Sequence, residues 1–232
     1  MTRARGARLV GTEGPTEEFE VEARRCGYRR IAGLDEAGRG PLAGPVVAAA
    51  VMLPRRCVLA GLDDSKQIDE TVRVRLFGEI VRRAIGIGIG SANEAEIDHL
   101  NILEATRLAM RRALRALPLA PDFLLLDALT IPGIPVRQRP IIKGDGLSSS
   151  IAAASIIAKV TRDRLMTEYH RWYPQYNFAD HKGYSTPQHL RLLREHGPCA
   201  IHRSTFAPVQ HLLEESAAEF DADVFDPALF DT

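Results

Sequence analysis

The 232-residue sequence predicts a single α/β domain. Two observations carry that expectation. Short apolar runs of strand length alternate with stretches of helical periodicity, and 45% apolar with 26% charged residues suffice for one sizeable core. The composition is too apolar for a disordered chain and too charged for a membrane-embedded one. No apolar run approaches the ~18 residues that a membrane span needs. The first thirty residues lack an apolar signal core, so a cytoplasmic protein is expected, without membrane association and as a monomer. Cys26, Cys57 and Cys199 are odd in number and form no CxxC pair, which excludes a zinc ribbon or a disulfide scaffold.

The elements follow in order. Residues 1–28 form a polar N-terminal extension with a short helix expected from Thr16 to Cys26. RRIAGLDE reads as a strand running into the glycine-rich turn GRGPLAG, and PVVAAAVML (45–53) as a buried strand between prolines. Thr71–Ala84 carries a helical stripe through Val72, Leu76, Ile80 and Val81. IGIGIG (85–90) alternates with period two, giving a strand with one bare glycine face; it lacks the spacing of a phosphate loop. Ile97–Leu117 is expected as one helix ended by Pro118, with Arg107, Arg111 and Arg115 along one face. DFLLLD (122–127) and RQRPIIK read as strands, Ser148–Trp172 as a long helix, and Pro187–His196 as a shorter one.

A formal net charge of zero conceals a division along the chain. Residues 214–232 hold seven acids and no Lys or Arg, so residues 1–213 carry a net +7. Eleven bases face five acids within residues 128–213, a candidate footprint for a polyanion or else a plain solvated face. Twenty-six Arg stand against four Lys: Lys66, Lys143, Lys159 and Lys182. Lys in so Arg-rich a chain marks places where a compact ammonium suits better than a planar fork, and Lys66 in DSK is taken as a substrate-binding candidate.

Asp35 and Glu36 end the first strand, Asp127 ends the strand DFLLLD, and Asp145 lies in a glycine-flanked turn before the long helix. Taken singly, each Asp also reads as a turn former or a helix cap. If the two strands are parallel neighbours, Asp35 and Asp127 meet at one sheet edge and Asp145 can join them. Converging carboxylates repel, and a hard divalent ion relieves them; an oxygen-rich set without histidine favours Mg²⁺ or Mn²⁺ over zinc. Glu36 joins the same site only if the strand ends or bulges there, because neighbouring strand residues face opposite ways.

IAGLDEAGRGPLAGPVVAAAV, DDSKQ, EIDHLNILEAT, LLLDA, IIKGDG, IAAASIIAKVTRD, HKGYSTPQH and HRSTFAPV together resemble bacterial ribonuclease HII, in order from about Gly27 to Val209. The resemblance implies an RNase H-like fold, a mixed sheet flanked by helices with a helical C-terminal region. It implies cleavage of the RNA strand of RNA–DNA hybrids and incision of duplex DNA on the 5′ side of an embedded ribonucleotide, leaving 3′-OH and 5′-phosphate ends. Asp35, Glu36, Asp127 and Asp145 match the family's acidic residues, expected to hold two Mg²⁺ or Mn²⁺ ions. Gly38, Arg39 and Gly40 match the GRG motif that recognises the ribose 2′-OH and nearby backbone. Tyr184 matches the tyrosine that packs on the following deoxyribose. Three positions depart from the usual pattern: Ala128 stands where glycine is usual, Gly146 where alanine or serine is common, and Thr205 precedes Phe206.

Two other readings compete. The sister enzyme ribonuclease HIII typically has GKG and a sizeable N-terminal domain, against Arg39 and about thirty residues here. A nuclease-dead hybrid-binding module could lose an acid, yet all four positions are filled. On this reading residues 29–213 are the catalytic domain and residues 214–232 a flexible acidic tail with Phe220, Phe225 and Phe230 at intervals of five. That tail is expected either to dock a replication clamp through Ala228-Leu229-Phe230 or to shield the basic cleft.

Overall fold

A computed structural model describes residues 14–63, 65 and 67–224. Its centre is a five-stranded sheet in the order β3-β2-β1-β4-β5, formed by β1 (Ile31–Ala37), β2 (Val46–Met52), β3 (Gly86–Ala92), β4 (Phe123–Asp127) and β5 (Arg137–Ile141). β1, β2 and β3 pair antiparallel, whereas β4 pairs parallel with both β1 and β5. The mixed sheet follows from the connections: β1 reaches β2 through a loop, but β3 reaches β4 only after a helical crossover.

Strand alternation divides the core in two. Ala32, Leu34, Ala48, Ala50, Leu124 and Leu126 face α4 (Ile102–Arg115). On the other face, Ala49 and Val51 meet α2 (Glu70–Arg83) and α5 (Ser149–Trp172). The bare face of β3 receives α4: a methyl group on Gly88 would lie 2.0 Å from the Ala113 carbonyl oxygen. The glycine alternation is therefore a packing device for close helix approach.

One expected helix is two. The stretch assigned to a single helix, Ile97–Leu117, is broken into α3 (Glu94–Leu100) and α4 at Asn101, which takes φ 70° and caps α4 by accepting from the Leu103 and Glu104 amides. Asn tolerates the left-handed region and is a strong cap, and both traits outweighed the apolar periodicity. Arg107 and Arg111 of the basic stripe donate to the Thr130 and Pro132 carbonyls, tying α4 to the β4–β5 connection.

The N-terminal helix α1 (Glu18–Arg25) is docked on the domain. Buried Glu20 accepts from Ser148 Oγ at 2.7 Å, Ser150 N at 2.9 Å and Ser150 Oγ at 2.6 Å, at the start of α5. Thr16 donates its amide to Leu147 O and accepts from Ser149 N. Two further helices are α6 (Phe178–His181) and α7 (Pro187–His196). The last, α8 (Ala207–Val224), runs across the boundary drawn between residues 213 and 214. Lys66 and the Ala228-Leu229-Phe230 segment lie outside the described residues.

Candidate active site

Leu34 pairs with Leu126, so the next residues along these parallel strands, Asp35 and Asp127, stand side by side at the carboxyl end of the sheet. Both fall on the face covered by α5, opposite Leu34 and Leu126. Asp145 reaches the same side on a 3-10 turn (Gly144–Gly146) just before α5. The turn is bound to the strand end: Gly144 N donates to Asp127 Oδ1 at 2.8 Å, and Ala128 N to the Ile141 carbonyl. Asp145 accepts from the Gly146 amide at 3.0 Å. Asp35 and Asp127 thus meet at the strand ends, and the turn that carries Asp145 is bound to Asp127.

Glu36 differs. β1 pairs regularly with β2 through Glu36↔Ala48 and Ala37↔Val47, without a bulge, so strand alternation turns Glu36 to the face opposite Asp35. Its carboxylate accepts from Arg39 Nη1 at 3.2 Å.

Electrostatics set Asp35 apart. Burial pushes its carboxyl well above the ordinary range, and the neighbouring charges of Glu36 and Asp127 push it further; a hydrogen bond with Ser155 opposes them. Ser155 in turn shares a 2.8 Å hydrogen bond with buried Ser65. Among the described residues, no three His, Cys, Asp or Glu side chains form a group that could by itself hold a metal ion. The donor chemistry nevertheless fits a hard divalent cation. Such a cation lowers the cost of ionising Asp35, and Mg²⁺ is commonly held by one or two carboxylates plus waters and substrate phosphate rather than an all-protein cage.

The glycine-rich turn is held by two fully buried arginines that sequence reasoning did not assign. Arg162 of α5 donates through Nε to Pro45 O, through Nη2 to Ala43 O and through Nη1 to Lys182 O. Arg203 donates to the carbonyls of Gly38, Arg39 and Gly44. Each of these hydrogen bonds ends on a backbone carbonyl, so the guanidinium forks supply donors to carbonyls of the turn. Gly38 takes φ +94°, and a methyl group there would lie 2.0 Å from Arg162 Nε. Burial and the charge of Arg162 pull the Arg203 guanidinium down to about 9. Buried Glu94 at the start of α3 supplies the countercharge for both cations.

Tyr184 lies beside this turn, 41% exposed. Its ring stands 5.6 Å from Lys159 Nζ and 5.8 Å from the Arg162 guanidinium carbon. Gly183 O accepts from Leu42 N, joining the Tyr184 loop to the glycine-rich turn. Arg162 and Arg203 both sit within quoted motifs, IIAKVTRD and HRSTF; the missing signal was burial, which no arginine announces in sequence.

The family model for ribonuclease HII matches residues 32–209. The chain belongs to the ribonuclease HII family. Members include a ribonuclease HII from Desulfitobacterium hafniense (strain DSM 10664 / DCB-2), 58% identical over 188 residues covering 81% of this chain and 72% of that protein. Another, from Citrifermentans bemidjiense, is 54% identical over 210 residues covering 90% of each chain. The fold is similar to ribonuclease H2 from Pyrococcus horikoshii OT3, with TM-score 0.67 and 27% identity over 81% of this chain and 98% of that one. It is also similar to the ribonuclease HII in a PCNA complex from Archaeoglobus fulgidus, with TM-score 0.65 and 26% identity over 78% and 96%. The ribonuclease HII chain is thus a metal-dependent ribonuclease H with an RNase H-like α/β fold. No described helix is long and apolar enough to cross a membrane.

The family's departures have local explanations. Ala128 occupies φ 51°, the left-handed region that glycine enters freely. A methyl group on Gly146 would meet nothing within 4 Å, so no contact forbids a larger residue there. Thr205 keeps the hydroxyl expected of serine: its Oγ1 donates to Asp98 Oδ1 at 2.6 Å, beside Ser204 Oγ to Oδ2 at 2.8 Å.

Proposed function

We propose that this ribonuclease HII cleaves the RNA strand of RNA–DNA hybrids and nicks duplex DNA on the 5′ side of an embedded ribonucleotide, leaving 3′-OH and 5′-phosphate ends. The observation that carries the reading is Asp35 beside Asp127 at one sheet edge, with the Asp145 turn bonded to Asp127 and a glycine-rich turn clamped by Arg162 and Arg203. Asp35, Asp127 and Asp145 are the residues whose carboxylates would hold two Mg²⁺ or Mn²⁺ ions; Glu36, with its carboxylate turned to the other strand face, would add its charge and its backbone carbonyl. When bound, the ions would supply activation of a water and neutralisation of the leaving 3′-oxygen.

The chain's own residues select and orient the substrate. With Gly38 and Gly44 held by Arg203, the exposed backbone at Gly40 can approach a sugar closely; a methyl group there would meet nothing within 4 Å, so the fold alone does not demand glycine. A hydrogen bond to a 2′-OH at this turn distinguishes ribose from deoxyribose. Arg39 has its backbone carbonyl fixed by Arg203 and its guanidinium beside Glu36, within reach of an adjacent phosphate. Tyr184 offers an apolar ring face to the next sugar. The Ala228-Leu229-Phe230 segment is assigned to docking a replication clamp.

A panel of three duplexes tests the activity: one ribonucleotide within DNA, an all-RNA strand on DNA, and all-DNA. Cutting of the first two with Mg²⁺ or Mn²⁺, and not of the third, is expected. Cutting of the long hybrid alone would remove the assignment of the Gly38–Gly40 turn to a single 2′-OH. For the clamp, calorimetric binding that survives Phe230→Ala would remove the docking assignment.

A further inference from the structure

Behind the substrate-facing loops lies a set of three buried histidines, His181 before the Tyr184 loop, His189 on α7 and His202 beside Arg203. His181 and His189 stack with ring centroids 4.3 Å apart, and the Phe178 ring meets both edge-on. The hydrogen bonds fix every proton. His189 Nδ1 lies 2.8 Å from the Tyr184 carbonyl oxygen, which can only accept, so Nδ1 carries the proton and Nε2 is bare. His202 Nδ1 accepts from the Cys199 amide at 2.9 Å, so its proton resides on Nε2, which donates across 3.1 Å to His189 Nε2. His181 accepts from Gly183 N at Nδ1 and donates from Nε2 to the Tyr176 carbonyl at 2.6 Å.

All six ring nitrogens are therefore used, with three protons among them. A fourth proton on any ring would face another N–H: that of His202 from His189, of Cys199 from His202, or of Gly183 from His181. Burial resists the same addition, holding His189 and His202 down to about 4 and lowering His181. The titratable groups facing the cluster are Cys199 and Tyr176, with Asp180 and His170 near His181.

The chain of bonds joins two substrate-facing loops. His189 holds the Tyr184 carbonyl, His181 holds the Gly183 amide, and His202 precedes the arginine that holds Gly38 and Gly44. Ala43 forms an isolated β-bridge with His202, and Arg203 N donates to Leu42 O. We propose that His181, His189 and His202 are positioning residues: a neutral, proton-ordered chain that fixes the Tyr184 loop against the Gly38–Gly44 turn and so sets the fit for the sugar after the ribonucleotide. This rests on the reading that Tyr184 contacts that sugar.

Isosteric replacement separates positioning from packing. In His189→Asn the side-chain amide N–H stands where Nδ1–H stood; in His189→Gln it stands where Nε2 was, and the bond to Tyr184 O is lost. Both variants lose ring volume. The measurement is KM and kcat on a duplex with one ribonucleotide. His189→Gln should raise KM about fivefold to tenfold with kcat held, as expected for one lost hydrogen bond in a binding loop, and His189→Asn should restore most of it. Equal KM for the two variants would overturn the proposal. Tyr184→Ala is measured alongside: an unchanged KM there would sink the reading of Tyr184 itself, whereas a raised KM with no Asn–Gln difference at His189 would sink only the positioning role. Should either His189 variant fail to fold, ¹⁵N histidine NMR of the unmodified protein at neutral pH decides. His189 as the Nδ1–H tautomer with His202 as Nε2–H supports the chain, and the Nε2–H tautomer or an imidazolium at His189 overturns it.

Discussion

Asp35 and Asp127 stand side by side at the carboxyl ends of two parallel strands, one residue beyond the Leu34–Leu126 pair. Like charges so placed work against folding, and burial of Asp35 adds to the cost. A raised carboxyl costs stability once pH rises above its unfolded value and ionisation is forced. Asp35→Asn should therefore abolish cleavage and yet raise the metal-free Tm at neutral pH. Thermal denaturation in EDTA checks this; a lower Tm would mean that Asp35 is stabilised by partners stronger than the repulsion.

Ala128 sits at φ 51° directly after Asp127. A left-handed alanine costs roughly 1–2 kcal/mol relative to its ordinary conformation, and glycine escapes that cost. Ala128→Gly should stabilise the protein by about 1 kcal/mol while keeping activity, read as a higher urea midpoint with an unchanged slope.

Glu20 lies outside the stretch matched by the family model, but its carboxylate accepts three hydrogen bonds at the start of α5, the helix that follows the Asp145 turn. Removing it leaves Ser148 and Ser150 without those acceptors. Glu20→Ala should cost about 2–3 kcal/mol, the scale of hydrogen bonds to a buried charge. Glu20→Gln should cost less. Equal losses in chemical denaturation would show that shape and one neutral oxygen rescue nothing, so that the carboxylate itself is required.

His189 and His202 are held neutral to about pH 4, against an ordinary value of 6.5. The unfolded chain thus binds protons between these limits while the folded chain does not. Their contribution is complete above pH 6.5, falls as pH drops toward 4 and changes little below, by up to ~3 kcal/mol for each histidine. Urea midpoints measured across that window should fall with pH, and His202→Gln should flatten the slope.

Much of this was legible in the sequence, for identifiable reasons. Strands such as Val46–Met52 and Phe123–Asp127 are short apolar runs bounded by turn residues, and their carboxyl ends carry the acids. The parallel pairing of β1 and β4 placed Asp35 beside Asp127 as expected. Asn101 was hidden because apolar periodicity continues across it while its φ of 70° does not. Arg162, Arg203 and the three histidines were hidden for another reason: their importance lies in burial, with the arginines bonded to backbone carbonyls distant in sequence and the histidines to nearby loops and to one another. Ser155 escaped because a small residue on a helix stripe reads as packing, although it bonds Asp35.

The most direct test of the central claim maps cleavage of a duplex carrying one ribonucleotide by the unmodified protein, Asp35→Asn and Asp145→Asn, with Mg²⁺ or Mn²⁺. The account predicts one cut 5′ of the ribonucleotide with 3′-OH and 5′-phosphate ends, lost in both variants. Robust cutting by either variant would contradict it.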